Sequence, residues 1–134
     1  MNDIWGLKYD SKMAGLIAKT GVACCLMHNR ENTDYQNFLA DFMDDMKECV
    51  KIAKDAGIAD DRIILDPGVG FGKTYEMNLE IIDKLEIMKE LGYPVLLGTS
   101  RKSVIGLTLD LPVEEREEGT MVTTVYGVQK GCAF

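Results

Sequence analysis

Three short apolar runs in this chain fail to alternate, and that constrains its fold more than any other feature. Val22-Ala23-Cys24-Cys25-Leu26-Met27, Arg62-Ile63-Ile64-Leu65-Asp66 and Pro94-Val95-Leu96-Leu97 carry consecutive apolar residues rather than every second one. A strand with one face in water alternates with period two, whereas a continuous run belongs to a strand covered on both faces. Both faces are covered when parallel strands are joined by helical crossovers. Asn2-Asp3-Ile4 reads as the tail of a further strand, and Cys132-Ala133-Phe134 as the start of another. Strand starts near positions 2, 22, 62, 94 and 131 give a loose βα repeat.

The intervening segments have helical spacing. Tyr35, Phe38, Leu39, Phe42, Met46, Cys49, Val50 and Ala53 form one apolar stripe, with Asp34 as its N-cap and Gly57 as its stop. Ile81, Ile82, Leu85, Met88 and Leu91 form another, closed by Gly92. Glu114 to Val128 makes a third long helix, acidic in its first turn as the helix dipole favours. A shorter helix fits between Tyr9 and Lys19. The Met and aromatic stripes read as core. Residues 1–134 form a single domain without linker or low-complexity stretch. Four βα units are about half of a (β/α)8 barrel, for which roughly 250 residues is typical. The pattern fits a small open sheet or part of a barrel.

Composition narrows the function. A net charge of -7 leaves no basic patch suited to nucleic acid. No apolar run approaches a membrane span or a signal peptide. Cys24, Cys25, Cys49 and Cys132 lack CxxC spacing and read as buried free thiols of a reducing cytoplasm. Adjacent Cys24 and Cys25 face opposite sides of their strand. With His28 as the one histidine, a Cys/His zinc site is not expected.

Chemistry collects at the C-terminal strand ends, where parallel α/β folds bind ligands. They offer Asn2 and Asp3, then Met27-His28-Asn29-Arg30, then Asp66 opening into Pro67-Gly68-Val69-Gly70-Phe71-Gly72-Lys73-Thr74, then Thr99-Ser100-Arg101-Lys102-Ser103. The glycine loop is a near miss for two phosphate motifs. A P-loop needs its first glycine where Pro67 stands, and a dinucleotide fingerprint needs its third where Lys73 stands. Asp66 offers two acceptor oxygens to an adjacent pair of N–H donors. Asn2 suits the mixed edge of a heterocycle, and Lys102 can donate to a ring carbonyl or nitrogen. Arg101 and Ser100 can hold a carboxylate or phosphate, while Phe71 and Met27 can cover a flat ring. Asp3 pins a loop or reaches a ligand, Lys73 reads as a solvated charge, and His28 as bonded to backbone.

Asn2-Asp3-Ile4, Leu26-Met27-His28, Asp66-Pro67-Gly68-x-Gly70-Phe71-Gly72-Lys73 and Gly98-x-Ser100-Arg101-Lys102-Ser103-x-Ile105-Gly106, in this order and spacing, resemble the dihydropteroate synthase family across essentially the whole chain. The resemblance implies a pterin-binding TIM barrel of folate biosynthesis, the sulfonamide target. It implies joining 6-hydroxymethyl-7,8-dihydropterin diphosphate to p-aminobenzoate with release of pyrophosphate. Asn2, Asp66 and Lys102 would bind the pterin in a pocket lined by Met27 and Phe71. Ser100, Arg101 and Phe71 would frame p-aminobenzoate, with Lys102 between the substrates. Asp66 and Lys102 would be catalytic, Asp66 by stabilising a cation at the pterin methylene.

The family's metal- and diphosphate-binding asparagine and its Arg-x-His-Asp segment find no match. The resemblance therefore implies a half-barrel fragment, the fourth to seventh βα units, with the ligand for the full enzyme's Mg2+ absent and no metal held by these residues. Such a piece is expected to be cytoplasmic, to have little activity alone, and to self-associate or pair with the missing half-barrel. A methyltetrahydrofolate–corrinoid methyltransferase-like barrel shares the pterin edge but needs no aminobenzoate site. A non-catalytic α/β fragment is the other alternative.

Overall fold

The computed structural model describes residues 1–134. Three parallel strands lie side by side in chain order: β1 (Asn2–Asp3), β2 (Cys24–Met27) and β3 (Ile63–Asp66). Asn2 pairs with Cys25, Cys25 with Ile64, and Met27 with Asp66. The order continues past β3. Leu65 bridges to Val95, its N–H donating to Pro94 O at 2.9 Å. Beyond that, Ala133 N–H donates to Val95 O at 2.8 Å and Leu97 N–H to Phe134 O at 3.0 Å. The fourth expected strand is therefore a single bridge at Val95, and the fifth is a short run of backbone hydrogen bonds at Ala133 and Phe134, neither a full strand. An order that climbs without reversing builds a barrel wall, whereas a doubly wound sheet must turn back at a switch point.

Five α-helices accompany the sheet: α1 (Met13–Thr20), α2 (Phe38–Asp55), α3 (Tyr75–Asp83), α4 (Ser103–Leu109) and α5 (Glu117–Lys130). One strand face lies under them. Cys24, Leu26, Ile63, Leu65 and Val95 join Phe42, Met46, Cys49, Ile81 and Met88 in a 21-residue buried cluster. Each large side chain so buried contributes about 1.5–3 kcal/mol. The alternate residues Asn2, Cys25, Met27, Ile64 and Asp66 point to the opposite face, so Cys24 and Cys25 do diverge.

Several element boundaries differ from the sequence expectation. The N-cap of α2 is Asn37, whose side chain accepts the Ala40 N–H at 3.1 Å. Asp34 sits instead in a turn closed by the Asn32 side chain on its N–H. The stripe through Leu91 is broken at Lys84, which leaves helical geometry at φ -104°, ψ 22°. A 3-10 segment, Leu85–Leu91, then carries Leu85 and Met88 into the core. Glu114 belongs to a separate 3-10 turn before α5, and the short first helix begins only at Met13. Helix α4 carried no sequence expectation.

Candidate active site

Asp66 ends β3 almost fully buried. Its Oδ1 accepts the Gly68 N–H at 2.7 Å, which fixes the carboxylate on its own loop. Its Oδ2 accepts no hydrogen bond from the chain and is not sealed from solvent. Gly98 faces Oδ2, and even a β-carbon added there would stand 3.9 Å from it. Burial raises the Asp66 pKa, against the opposing pull of the Gly68 N–H and the charges of Lys102 and Lys73.

The loop after Asp66 reverses on left-handed glycines. An added β-carbon at Gly68 would sit 2.0 Å from His28 O, and at Gly72 2.6 Å from Arg30 O. The loop thus rests directly on the backbone leaving β2, an approach open only to glycine. Asn78, buried on α3, accepts the Gly70 N–H at 2.6 Å, and Tyr35 donates to Gly72 O at 2.7 Å. So held, the loop presents half-buried Phe71. Lys102 lies with its Nζ 4.9 Å from the Phe71 ring centroid and donates to Val69 O. Burial lowers the Lys102 pKa, opposed by Asp66.

Lys73 is not solvated. Its Nζ is buried against Gly68 O and Phe71 O, each at 3.0 Å, and His28 Nδ1 at 2.8 Å. Burial brings its pKa down to about 7. His28 does not bond backbone through its ring. Its Nε2 lies 2.9 Å from Asp45 Oδ2, on α2, and burial lowers its pKa to about 4. The neutral ring therefore donates from Nε2 and accepts at Nδ1. Arg30 closes the network on Asp45 at 2.6 Å and 3.1 Å. Burial opposes ionisation of Asp45, but the hydrogen bonds from His28 and Arg30 outweigh it and hold the pKa below the usual carboxylate range. Sequence reasoning missed Asp45 and Asn78, although each interrupts a buried helical stripe: Asp45 between Phe42 and Cys49, Asn78 three positions before Ile81.

The sheet thus gathers Asp66, Met27, Phe71 and Lys102 at one mouth. Asn2 shares their strand face but lies exposed beyond β2, level with Ile64 and one pleat below Asp66. Asp3 pins its loop, accepting the Trp5 N–H at 2.8 Å. Ser100 and Arg101 sit on an exposed turn beside α5, at a shallow cleft shared with Glu114, Glu117 and Thr120. No three His, Cys, Asp or Glu side chains converge where a metal ion could sit. The chemistry available is therefore that of a buried carboxylate with one free oxygen, a flat aromatic wall and a cation beside it. This suits a planar ligand presenting adjacent N–H donors.

The chain is similar in sequence and fold to known proteins. Dihydropteroate synthase from Clostridium beijerinckii is 64% identical over 135 residues, covering 100% of this chain and 50% of that protein. The crystal structure of dihydropteroate synthase from Clostridium difficile in the presence of pteroic acid superposes with a TM-score of 0.95 at 45% identity, covering 98% of this chain and 50% of that one. The Thermus thermophilus enzyme in complex with 6HMPPP gives 0.91 at 35% identity, over 98% and 52%. The chain spans about half the length of the relatives it matches. No helix is long and apolar enough to cross a membrane. A family model described as pterin binding enzyme matches residues 1–134, and with Asp66 at its strand mouth this chain belongs to that family.

Proposed function

We propose that these residues form the pterin-reading half of a dihydropteroate synthase, which condenses 6-hydroxymethyl-7,8-dihydropterin diphosphate with p-aminobenzoate. One observation carries this reading: the buried Asp66 carboxylate with Oδ1 satisfied and Oδ2 free. The 2-amino and N3–H edge of a pterin supplies the donors that Oδ2 and the remaining lone pair of Oδ1 can accept. Met27 and Phe71 cover the ring, Lys102 donates to its polar edge, and Asn2 reaches it from β1. When diphosphate leaves the pterin methylene, positive charge develops at that carbon. The Asp66 carboxylate, held in place before reaction, stabilises that charge through the ring. Lys102, placed over Phe71, lies between this ring and the Ser100–Arg101 turn, where the aminobenzoate carboxylate docks and aims its amine at the cation. That second site makes this class of barrel a sulfonamide target.

On this reading the Mg2+ of a complete synthase is held outside these residues. Contacts to metal and diphosphate fall to the other half of the barrel. The two outer ladder edges, β1 and Cys132–Phe134, pair with that half or with a second copy. The free thiols suit a cytoplasmic setting. The test is calorimetric titration with the pterin diphosphate, followed by a coupled pyrophosphate-release assay with p-aminobenzoate. Binding that Asp66→Ala abolishes supports the reading, and equal binding by that variant refutes it. The 134 residues alone should bind weakly and release little pyrophosphate. Turnover near that of a complete synthase would refute the division of labour between halves.

A further inference from the structure

Arg101 has a left-handed backbone, φ 51°, that residues with a β-carbon rarely adopt. Both of its backbone polar groups are taken by the start of α5. Its N–H donates to Thr120 Oγ1 at 2.9 Å, and its carbonyl accepts from Arg116 Nη1 at 3.1 Å. Thr120 Oγ1 donates its own proton to Arg116 O at 2.8 Å, which leaves its lone pairs aimed at the Arg101 N–H. One turn further along α5, Thr123 Oγ1 meets Thr99 Oγ1 at 2.7 Å, at the other end of the same loop. Lys102 N–H closes that loop on Thr99 O at 3.1 Å.

Two glycines make the clamp possible. A β-carbon at Gly106 of α4 would stand 2.2 Å from the Arg116 guanidinium, and one at Gly119 of α5 would stand 2.4 Å from Ile105 Cγ2. The guanidinium therefore lies against bare helix backbone, where its Nε also donates to Leu111 O at 3.0 Å. The start of α5 thus commits an arginine and two threonines to a turn whose Ser100 and Arg101 side chains point to solvent with no partner of their own.

We propose that Arg116 and Thr120 are positioning residues that hold Arg101 in its left-handed conformation and so fix how the Ser100–Lys102 turn meets the carboxylate-bearing aromatic substrate. This rests on the second-substrate role given to that turn above. The turn has two sides: Ser100 and Arg101 outward, and Lys102 inward to Val69 O and Phe71. Relaxing residue 101 uncouples the two sides without touching Asp66.

The experiment uses the native full-length protein, titrated separately with the pterin and, with pterin present, with p-aminobenzoate. Thr120→Val should weaken aminobenzoate binding about tenfold, the effect of one lost hydrogen bond, and leave pterin binding within about twofold. Amide exchange at Arg101 should quicken in Thr120→Val and return to the wild-type rate in Thr120→Ser, together with aminobenzoate binding. Gly106→Ala is the second variant. It displaces only the flexible end of Arg116 and raises the helix propensity of α4, so it should fold and show the same aminobenzoate-specific loss. Equal aminobenzoate binding by Thr120→Val and wild type, equal loss of both ligands, or unchanged Arg101 exchange overturns the inference. A wild-type protein that binds neither ligand overturns the reading of the site itself. Wild type that binds both, with indifferent variants, overturns the clamp alone.

Discussion

Replacing Gly68 with alanine should destabilise this protein far more than the same change at Gly57. Both glycines are left-handed, with φ of 66° and 90°. A β-carbon in that region costs about 1–2 kcal/mol wherever it stands. At Gly57 it would meet nothing within 4 Å. At Gly68 it would press 2.0 Å from His28 O and 3.1 Å from His28 C. Those are backbone atoms, and His28 cannot retreat freely because its N–H donates to Asp66 O at 2.9 Å. Relief requires the end of β2 and the start of the loop to part, an overpacking term of about 1–3 kcal/mol. The sum is about 2–5 kcal/mol at Gly68 against about 1–2 kcal/mol at Gly57. For a domain of this size that is a fall in Tm of roughly 7–17 °C against roughly 3–7 °C. Gly15 supplies a third point: it lies exposed in α1 with nothing near its β-carbon position, so alanine there should gain about 0.5–1 kcal/mol. Denaturant unfolding of the three variants, with m-values compared, reads the series directly. Coincident midpoints for Gly68→Ala and Gly57→Ala would refute the claim that the loop lies on the β2 backbone.

Asp66→Asn should keep the Gly68 N–H bond and lose the charge that burial opposes, so the protein should be as stable or slightly more stable while pterin affinity falls about a hundredfold, two charge-assisted bonds being weakened. Calorimetry and thermal unfolding on one sample separate the two effects, and a matched loss of both would count against a ligand-reserved oxygen. Lys73 gives a pH signature. Its pKa falls from the ordinary 10.5 to about 7, so above pH 7 the unfolded chain holds a proton that the folded one releases, and stability rises with pH. Between about pH 7 and 8.5 the stability difference between wild type and Lys73→Met should grow by up to about 2 kcal/mol. A difference flat in pH would show that the ammonium stays charged in the fold. His28 acts lower: with a folded pKa of about 4 against 6.5, its share of stability is lost as pH falls from 6.5 to about 4, and His28→Asn should flatten that limb of the unfolding profile.

The parallel wall was legible because two-sided burial writes itself into composition. Cys24 and Leu26 face helices while Cys25 and Met27 face the opposite side, and both surroundings select apolar residues. Asp66 was legible for the converse reason, a charge placed where that selection stops. The break at Lys84 was not, because Ile81, Leu85 and Met88 keep helical spacing through a residue that leaves the helix. Asn37 and Asp34 both satisfy the capping rule, and only the path of the chain chooses between them. The left-handed Arg101 was equally hidden, since its cause lies in Arg116 and Thr120, beyond the whole of α4.

Lys73 shows where local sequence logic fails and why the failure is informative. A lysine after a glycine loop looks solvated, and only Asp45, twenty-eight positions earlier on α2, makes its burial sustainable by holding His28 in the tautomer that accepts its proton. Every polar atom of that network has a partner: Nζ has three, the imidazole two, and the Asp45 carboxylate both His28 and Arg30. Asp66, at the other end of that loop, is more deeply buried than Lys73 yet leaves Oδ2 open. Burying a charge is costly, and folds that bury one for structure satisfy it completely. The same loop thus holds two buried ionisable groups in opposite states of completion. The closed one fastens Gly68 and Phe71 to the barrel wall, and the open one is left for a ligand to complete. Removing the first should therefore loosen the loop and cost stability, while removing the second should cost affinity alone.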